Sequence, residues 1–356
     1  MAGLALYCRT GFEKDLASEV IEKSAALEVF GYPELKTNSG LVLFHCYQAE
    51  GAQTLAKSLA LTSLIFARQL FAFTERCEQL DTSDRIGPIL QACIEFPECG
   101  ELRVEHADST DGREISKFCR KISVPLRQTL RGKGILTPLE HNKLPVCHVY
   151  FEDSTTALVG YSYPQNNSPH PLGILRLKFP NEAPSRSTLK LDEAFQLFIP
   201  KKEHGKRLSG GLHAVDLGAC PGGWTYQLVK RGMFVEAVDN GAMDEALMAT
   251  GQVRYCPEDG FKFQPRKNNV YWLVCDMIEQ PQRVAKLMAT WVATKRCQES
   301  MFNLKLPMKK RYESIKEALA IIDQCIDQHH AGPYDLSVKH LYHDREEVTV
   351  HLRLKA

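Results

Sequence analysis

The sequence predicts an α/β protein in which a doubly wound, mostly parallel sheet follows two smaller α+β units. Three observations carry that prediction. Strand and helix patterns alternate from residue 187 onward, a glycine-rich turn follows the first of those strands, and a proline-dense stretch separates them from a first half whose strands come in pairs.

Length and composition bound the problem. A chain of 356 residues is the size of two or three domains. Lys+Arg 44 against Asp+Glu 43 leaves a formal charge of +1, which excludes an overall polycation and an acidic tail. Any surface for nucleic acid must therefore be a local patch. The longest uncharged apolar run, Ser58 to Ala67, is ten residues, whereas a membrane span needs about 20, so no membrane helix is expected. Residues 1–9 lack the basic lead and apolar core of a secretory signal. The 12 cysteines are scattered, the nearest pair being Cys93 and Cys99, with no Cys-x-x-Cys. Structural metal and disulfides are not expected, and a reducing cytoplasm fits.

Taken in order, Leu4–Cys8 is strand-like and Phe12, Leu16, Val20 and Ile21 mark a helix. Strand-like runs at Glu28–Lys36 and Leu41–Cys46, a short helix at Gln53–Leu59 and a run at Leu64–Phe73 complete a β-α-β-β-α-β, ferredoxin-like unit over residues 1–75. Over residues 76–163, a helix at Pro88–Phe96, a strand at Leu102–His106, a helical stripe at Ile115, Phe118, Cys119 and Ile122, and a hairpin of Val146–Phe151 with Ala157–Tyr163 form a second unit. Pro125 should kink or break its helix. Arg113–Lys133 carries seven basic residues against Glu114 alone, a face able to neutralise several phosphates. Five prolines between Pro164 and Pro184 mark a linker over residues 164–186.

From residue 187 to 356, strand-like runs fall at Ala214–Leu217, Phe234–Val238, Tyr271–Cys275, Met301–Leu306, Leu336–Leu341 and Val348–Leu352. The last two leave almost no room for a crossover helix, so the final strand should be antiparallel. The sharpest signal is Val215-Asp216-Leu217-Gly218-Ala219-Cys220-Pro221-Gly222-Gly223-Trp224, a strand entering a tight turn and then a helix. Glycines there let a ligand approach the backbone, and Asp239, 21 residues after Gly218, ends the next strand where a carboxylate can take ribose hydroxyls. The spacing is not Gly-x-Gly-x-x-Gly, which disfavours a nicotinamide dehydrogenase. Lys305 is isolated in the apolar run Phe302–Leu306, where desolvating an ammonium is costly. Asp276 ends its own strand, Lys190 borders the apolar stripe of a helix, and of Glu346 and Glu347 only one can face a site.

The Asp-x-Gly-x-x-Pro-Gly-Gly-Trp pattern resembles motif I of S-adenosylmethionine-dependent ribose 2′-O-methyltransferases, the FtsJ-like group, whose catalytic domain is Rossmann-like. The resemblance implies that Cys220, Pro221, Gly222 and Gly223 line the methionine end of the cofactor S-adenosyl-L-methionine. Asp239 would hold its ribose, Asp259 in Asp259-Gly260-Phe261 its adenine amine, and Ser187 and Asp276 would add further contacts. Lys190, Asp276, Lys305 and Glu347 match the group's Lys-Asp-Lys-Glu tetrad. By that match Lys305 is the proton acceptor, Lys190 lowers its pKa, and Asp276 and Glu347 position the amines, Glu347 being chosen for its place before Val348-Thr349-Val350. The absence of proline and aromatic residues after Asp276, and of a cysteine nucleophile there, points to the sugar rather than the base.

The whole chain, with its ferredoxin-like unit, a basic THUMP-like RNA-binding module and stretches such as Asn303-Leu304-Lys305-Leu306-Pro307-Met308-Lys309-Lys310-Arg311-Tyr312, resembles bacterial 23S ribosomal RNA 2′-O-ribose methyltransferases. The implied target is cytidine 2498, on 23S RNA not yet assembled into ribosomes. A cytoplasmic monomer without metal or membrane is the accompanying expectation. Lys309, Lys310 and Arg311 would grip flanking phosphates. The rival readings are a non-catalytic RNA-binding or ribosome-assembly factor, which needs no proton acceptor, and the dehydrogenase already disfavoured.

Overall fold

The computed structural model describes residues 3–108 and 110–355, with the side chains of 110–113 outside the description. The chain divides into two compact units, Met1–Leu175 and Arg176–Ala356.

The first unit contains β1 (Gly3–Tyr7), α1 (Glu13–Ala25), β2 (Gly31–Leu35), β3 (Leu41–Cys46), α2 (Gly51–Ser58), β4 (Gln69–Cys77), α3 (Ile86–Ala92), β5 (Glu101–His106), α4 (Thr110–Gly132), β6 (Val146–Phe151) and β7 (Ala157–Ser162). These strands make a single seven-stranded sheet in the order β2-β3-β1-β4-β7-β6-β5. The first four keep the ferredoxin-like arrangement, and β4 pairs antiparallel with both β1 and β7, so the two α+β stretches share one ladder. Pro33 sits on β2, the edge strand, where a missing N–H interrupts no ladder.

Two expectations are corrected here. The run at Leu64–Phe73 does not pair as a strand until Gln69. The N–H groups of Ile65 and Phe66 instead donate to the buried carboxylate of Glu19, at 2.6 and 3.0 Å, so a side chain replaces the ladder. Pro125 does not break α4, which continues to Gly132. Its ring lies on the exposed face and the carbonyl it strands, that of exposed Lys121, faces water, while Ile122, Leu126 and Leu130 anchor the opposite face in the core. Lys117, Arg120, Lys121, Arg131 and Lys133 are exposed and Arg127 is half-buried; the side chain of Arg113 lies outside the described residues.

The second unit contains α5 (Thr188–Phe198), α6 (His204–Arg207), β8 (His213–Leu217), α7 (Gly223–Val229), β9 (Phe234–Val238), α8 (Glu245–Met248), β10 (Val253–Cys256), β11 (Val270–Cys275), α9 (Pro281–Ala293), β12 (Cys297–Lys305), α10 (Arg311–Gln328), β13 (Tyr334–Lys339) and β14 (Glu347–Leu354). Its sheet order is β10-β9-β8-β11-β12-β14-β13. All pairings are parallel except those of β14, which runs antiparallel to both neighbours as its short connection required. The doubly wound fold is thus the one the sequence predicted. The chain reverses its direction of travel across the sheet between β8 and β11, whose carboxyl ends lie side by side with Cys275 opposite Leu217. Such a switch point opens a crevice where ligands bind in open α/β sheets.

Candidate active site

Four strand and helix ends converge at that crevice. Asp276 follows β11, Lys305 ends β12, Glu347 opens β14 opposite Lys305, and Lys190 projects from the first turn of α5. Their side chains form a closed ring of alternating charge. Lys305 Nζ lies 2.5 Å from Asp276 Oδ1 and 2.8 Å from Glu347 Oε2, while Lys190 Nζ lies 3.3 Å from Asp276 Oδ2 and 2.5 Å from Glu347 Oε1. Glu346 points elsewhere and pairs with Arg311 at 2.7 Å, which settles which of the two glutamates joins the ring.

The electrostatics of the ring are uneven. Burial works to raise the Glu347 pKa, but the two ammonium groups outweigh it and hold the carboxyl at about 2. Burial works to lower the pKa of Lys305, yet Asp276 and Glu347 keep it above the ordinary lysine value. The expectation that Lys190 lowers the pKa of Lys305 is therefore not what governs this state, because both lysines bind the same two acids. As it stands, the ring stores the proton on Lys305.

Two hollows flank the ring. One, of about 540 Å³, lies over the β8 and β11 ends and is lined by Gly218, Cys220, Asp239, Asp259, Phe261 and Asp276 among others. Asp239 accepts the N–H groups of Cys220 and Gly241, both at 3.0 Å, which fixes its carboxylate toward the hollow. Asp259 accepts the Phe261 N–H at 2.9 Å, a turn-forming role that also presents the acid to the hollow. Pro221, Gly222, Gly223 and Ser187 are not among the lining groups; they build the turn beside it. Gly222 holds φ at +119°, a left-handed conformation that favours glycine, and any Cβ on Gly223 would collide with Ser187 Oγ. The second hollow, of about 570 Å³, lies on the other side of Lys305 and is bounded by Glu279, Pro307, Lys309, Lys310 and Glu313.

Sequence reasoning gave no role to three contributors, although Asp216 stood out by its place near the end of its strand. Asp216 is fully buried, with Oδ2 accepting the Thr225 hydroxyl at 2.6 Å and Oδ1 without a hydrogen-bond partner. Burial, reinforced by the charges of Asp276 and Asp239, pushes its pKa up to about 7. Asn303, buried on β12, donates from Nδ2 to Asp276 Oδ1 at 2.9 Å and accepts the Thr349 hydroxyl at 2.8 Å. The sequence signal was present: Asn303 and Lys305 are two apart and share the one polar face of an apolar strand. Arg283, at the edge of the first hollow, stacks over the Phe261 ring at 4.5 Å and pairs with Glu279.

Comparison with known proteins bears directly on this geometry. Residues 1–71 match the model of the RlmM ferredoxin-like domain, residues 84–163 that of the N-terminal domain of ribosomal RNA large subunit methyltransferase M, and residues 183–317 that of FtsJ-like methyltransferases. The ribosomal RNA large subunit methyltransferase M of Pseudoalteromonas atlantica is 90% identical over 354 residues, covering 99% of each chain. The chain belongs to the ribosomal RNA large subunit methyltransferase M family. Another member, from Tolumonas auensis, is 53% identical over 99% of this chain and 96% of its own. Among solved structures, Aeropyrum pernix fibrillarin matches 57% of this chain and 81% of its own at 12% identity and a TM-score of 0.33. No helix among the described residues is long and apolar enough to cross a membrane.

Proposed function

We propose that the protein methylates a ribose 2′-hydroxyl of 23S ribosomal RNA, at cytidine 2498, with S-adenosylmethionine as donor and Lys305 as the proton acceptor. The observation that carries this reading is the closed Lys190–Asp276–Lys305–Glu347 ring standing between two separate hollows.

The first hollow fits the donor. Asp239, Glu258, Asp259, Asp276 and Glu279 line it against the single basic residue Arg283, so it suits a ligand carrying positive charge and opposes the pyrophosphate of a dinucleotide. Asp239 would hold ribose hydroxyls, Asp259 the adenine amine, and Cys220 with Gly218 the methionine end. When bound, the group supplies a methyl on a sulfonium centre.

Lys305 does the proton chemistry. A ribose hydroxyl has a pKa far above neutrality and benefits from a base within hydrogen-bond reach. Lys305 must first release to solvent, through the second hollow on which it opens, the proton that Asp276 and Glu347 help it keep. Positive charge entering the acid-lined hollow competes for Asp276 and weakens that hold. The neutral amine then takes the proton of the hydroxyl, and Lys190 keeps both acids in place without reaching the reacting atoms. Lys309 and Lys310, bordering the second hollow, bind phosphates beside the target, and the exposed basic face of α4 adds salt-sensitive affinity. The acceptor nucleotide is single-stranded or looped, since a ribose in a duplex is hard to align for in-line attack. The target nucleotide and the free state of the RNA rest on family membership.

Incubating the protein with a 23S transcript and labelled S-adenosylmethionine, then mapping the labelled nucleotide, tests reaction, substrate and position together. Label on a base, or transfer undiminished in Lys305→Ala, overturns the reading.

A further inference from the structure

The first unit's sheet has one corner that its own core does not use. Helices α1 and α2 cover one face of β1 to β4. On the other face Tyr7, Leu43, Phe71 and Tyr150 are closed over by Ala107 and Leu172. The cover stops short of the β2–β3 hairpin. There Tyr32 on β2 stands opposite His45 on β3, with ring centroids 5.0 Å apart and planes at 18°. Tyr47 lies 6.0 Å from Tyr32, and His45 meets Phe73 edge-on at 5.6 Å. Tyr32 is 51% exposed and Tyr47 71%. Exposed apolar rings gathered into one patch, rather than scattered singly, are what binding surfaces present.

What lies beside the rings selects the ligand. Glu34 accepts from His45 at 2.8 Å and from Arg76 at 3.0 Å, and Arg76 also pairs with Glu152 at 2.9 Å. That chain of polar groups leads into a hollow of about 400 Å³ that also takes in Lys36, Asn38 and Ser39. Lys36 and Arg76 balance Glu34 and Glu152, so the corner offers no excess of positive charge for phosphate, while the half-exposed Glu34 carboxylate can accept hydrogen bonds from the amino groups of bases. Rings stack on any base, and unpaired bases are what proteins read in RNA. We propose that Tyr32, His45 and Tyr47 form a platform that stacks unpaired nucleobases of the RNA substrate, independently of the phosphate-binding basic surfaces; this rests on the reading of that substrate as RNA.

Salt separates the two kinds of surface. Filter binding of a 23S transcript to the full chain at several salt concentrations gives both an affinity and a salt slope. Tyr32→Ala/Tyr47→Ala is expected to weaken binding on the order of tenfold per ring at every salt concentration. Its slope should match that of the unaltered protein, because no phosphate contact is lost. Tyr32→Phe, which keeps the ring, should bind within about twofold of the unaltered protein. Lys117→Glu/Arg120→Glu on α4 should flatten the slope instead. Unchanged affinity in the double tyrosine variant, or a changed slope, overturns the proposal. So does a loss confined to association with a ribosomal protein. Retained S-adenosylmethionine binding by calorimetry verifies that the variants are folded. If the tyrosine variants lose RNA affinity but the protein methylates nothing, the platform stands and the enzymatic reading fails; normal methylation with unaltered RNA affinity is the reverse.

Discussion

Two ion networks sit at opposite ends of β12, and their contrast separates holding a fold from doing chemistry. At the amino end, Glu299 takes Arg207 through two bonds of 2.7 and 2.5 Å, His351 at 2.9 Å and the Tyr271 hydroxyl at 3.0 Å. Burial would raise the Glu299 pKa, but His351 and Arg207 hold it at about 2. The Glu299 and Arg207 side chains are only 3% and 5% exposed, so this carboxylate is enclosed and committed. At the carboxyl end the Lys190–Asp276–Lys305–Glu347 ring has similar distances, yet Lys305 is 21% exposed and opens on the second hollow, while Asp276 opens on the first. A network sealed from water can only stabilise. An open one keeps ammonium hydrogens and carboxylate lone pairs that can change partners.

Substitutions should break that contrast in opposite ways. Lys305→Ala is expected to lower methyl transfer about 10²- to 10⁴-fold, measured with labelled donor, with a loss of stability smaller than that of Arg207→Met because Lys305 is partly open to water and Lys190 still holds both acids. Arg207→Met should do the converse: leaving the buried Glu299 with His351 and the Tyr271 hydroxyl but without its guanidinium costs about 3–5 kcal/mol in a urea titration, with the turnover of the folded fraction retained.

Acid titration sharpens the comparison further. Glu299 and Glu347 both titrate near 2 when folded, below the ordinary glutamate value of about 4.5. Their stabilisation is complete above that ordinary value and is lost as pH falls toward 2. Glu299→Gln should flatten the acid limb of the stability profile without altering the pH dependence of the rate. For catalysis the dependence runs in the same direction but in a higher pH window. Because Lys305 holds its proton above the ordinary lysine value, the rate should rise with pH through the neutral and alkaline range.

The smallest expected effect falls on Asn303. Its donation to Asp276 Oδ1 draws charge from the oxygen that also holds Lys305. Asn303→Leu should make Asp276 a stronger counter-ion, moving the rate–pH limb to higher pH and lowering kcat roughly tenfold at neutrality, with KM for the donor unchanged. A KM change without a shifted limb would assign Asn303 to packing alone.

Much of this was legible before any coordinates. Lys305 announced itself because an ammonium in an apolar strand needs partners, and Asp276 because strand carboxyl ends gather ligands. The antiparallel β14 followed from a connection too short for a crossover. What escaped reading depended on distant partners. Glu19 supplants a ladder for Ile65 and Phe66 across some forty residues, which no local pattern encodes. Pro125 was read as a breaker because its solvent-facing side is set by packing against β5 and β6. Asp216 was noticed for its position, but its missing partner emerges only when Thr225 and the neighbouring acids are in place.

The strand shared between the two α+β stretches has a practical consequence. A fragment ending near residue 75 would strip β7 from β4 and bare the backbone donors and acceptors of Ala72–Glu75 that it covers. Such an unprotected margin recruits other chains, so the amino-terminal half should be produced whole through residue 175 or it will clump.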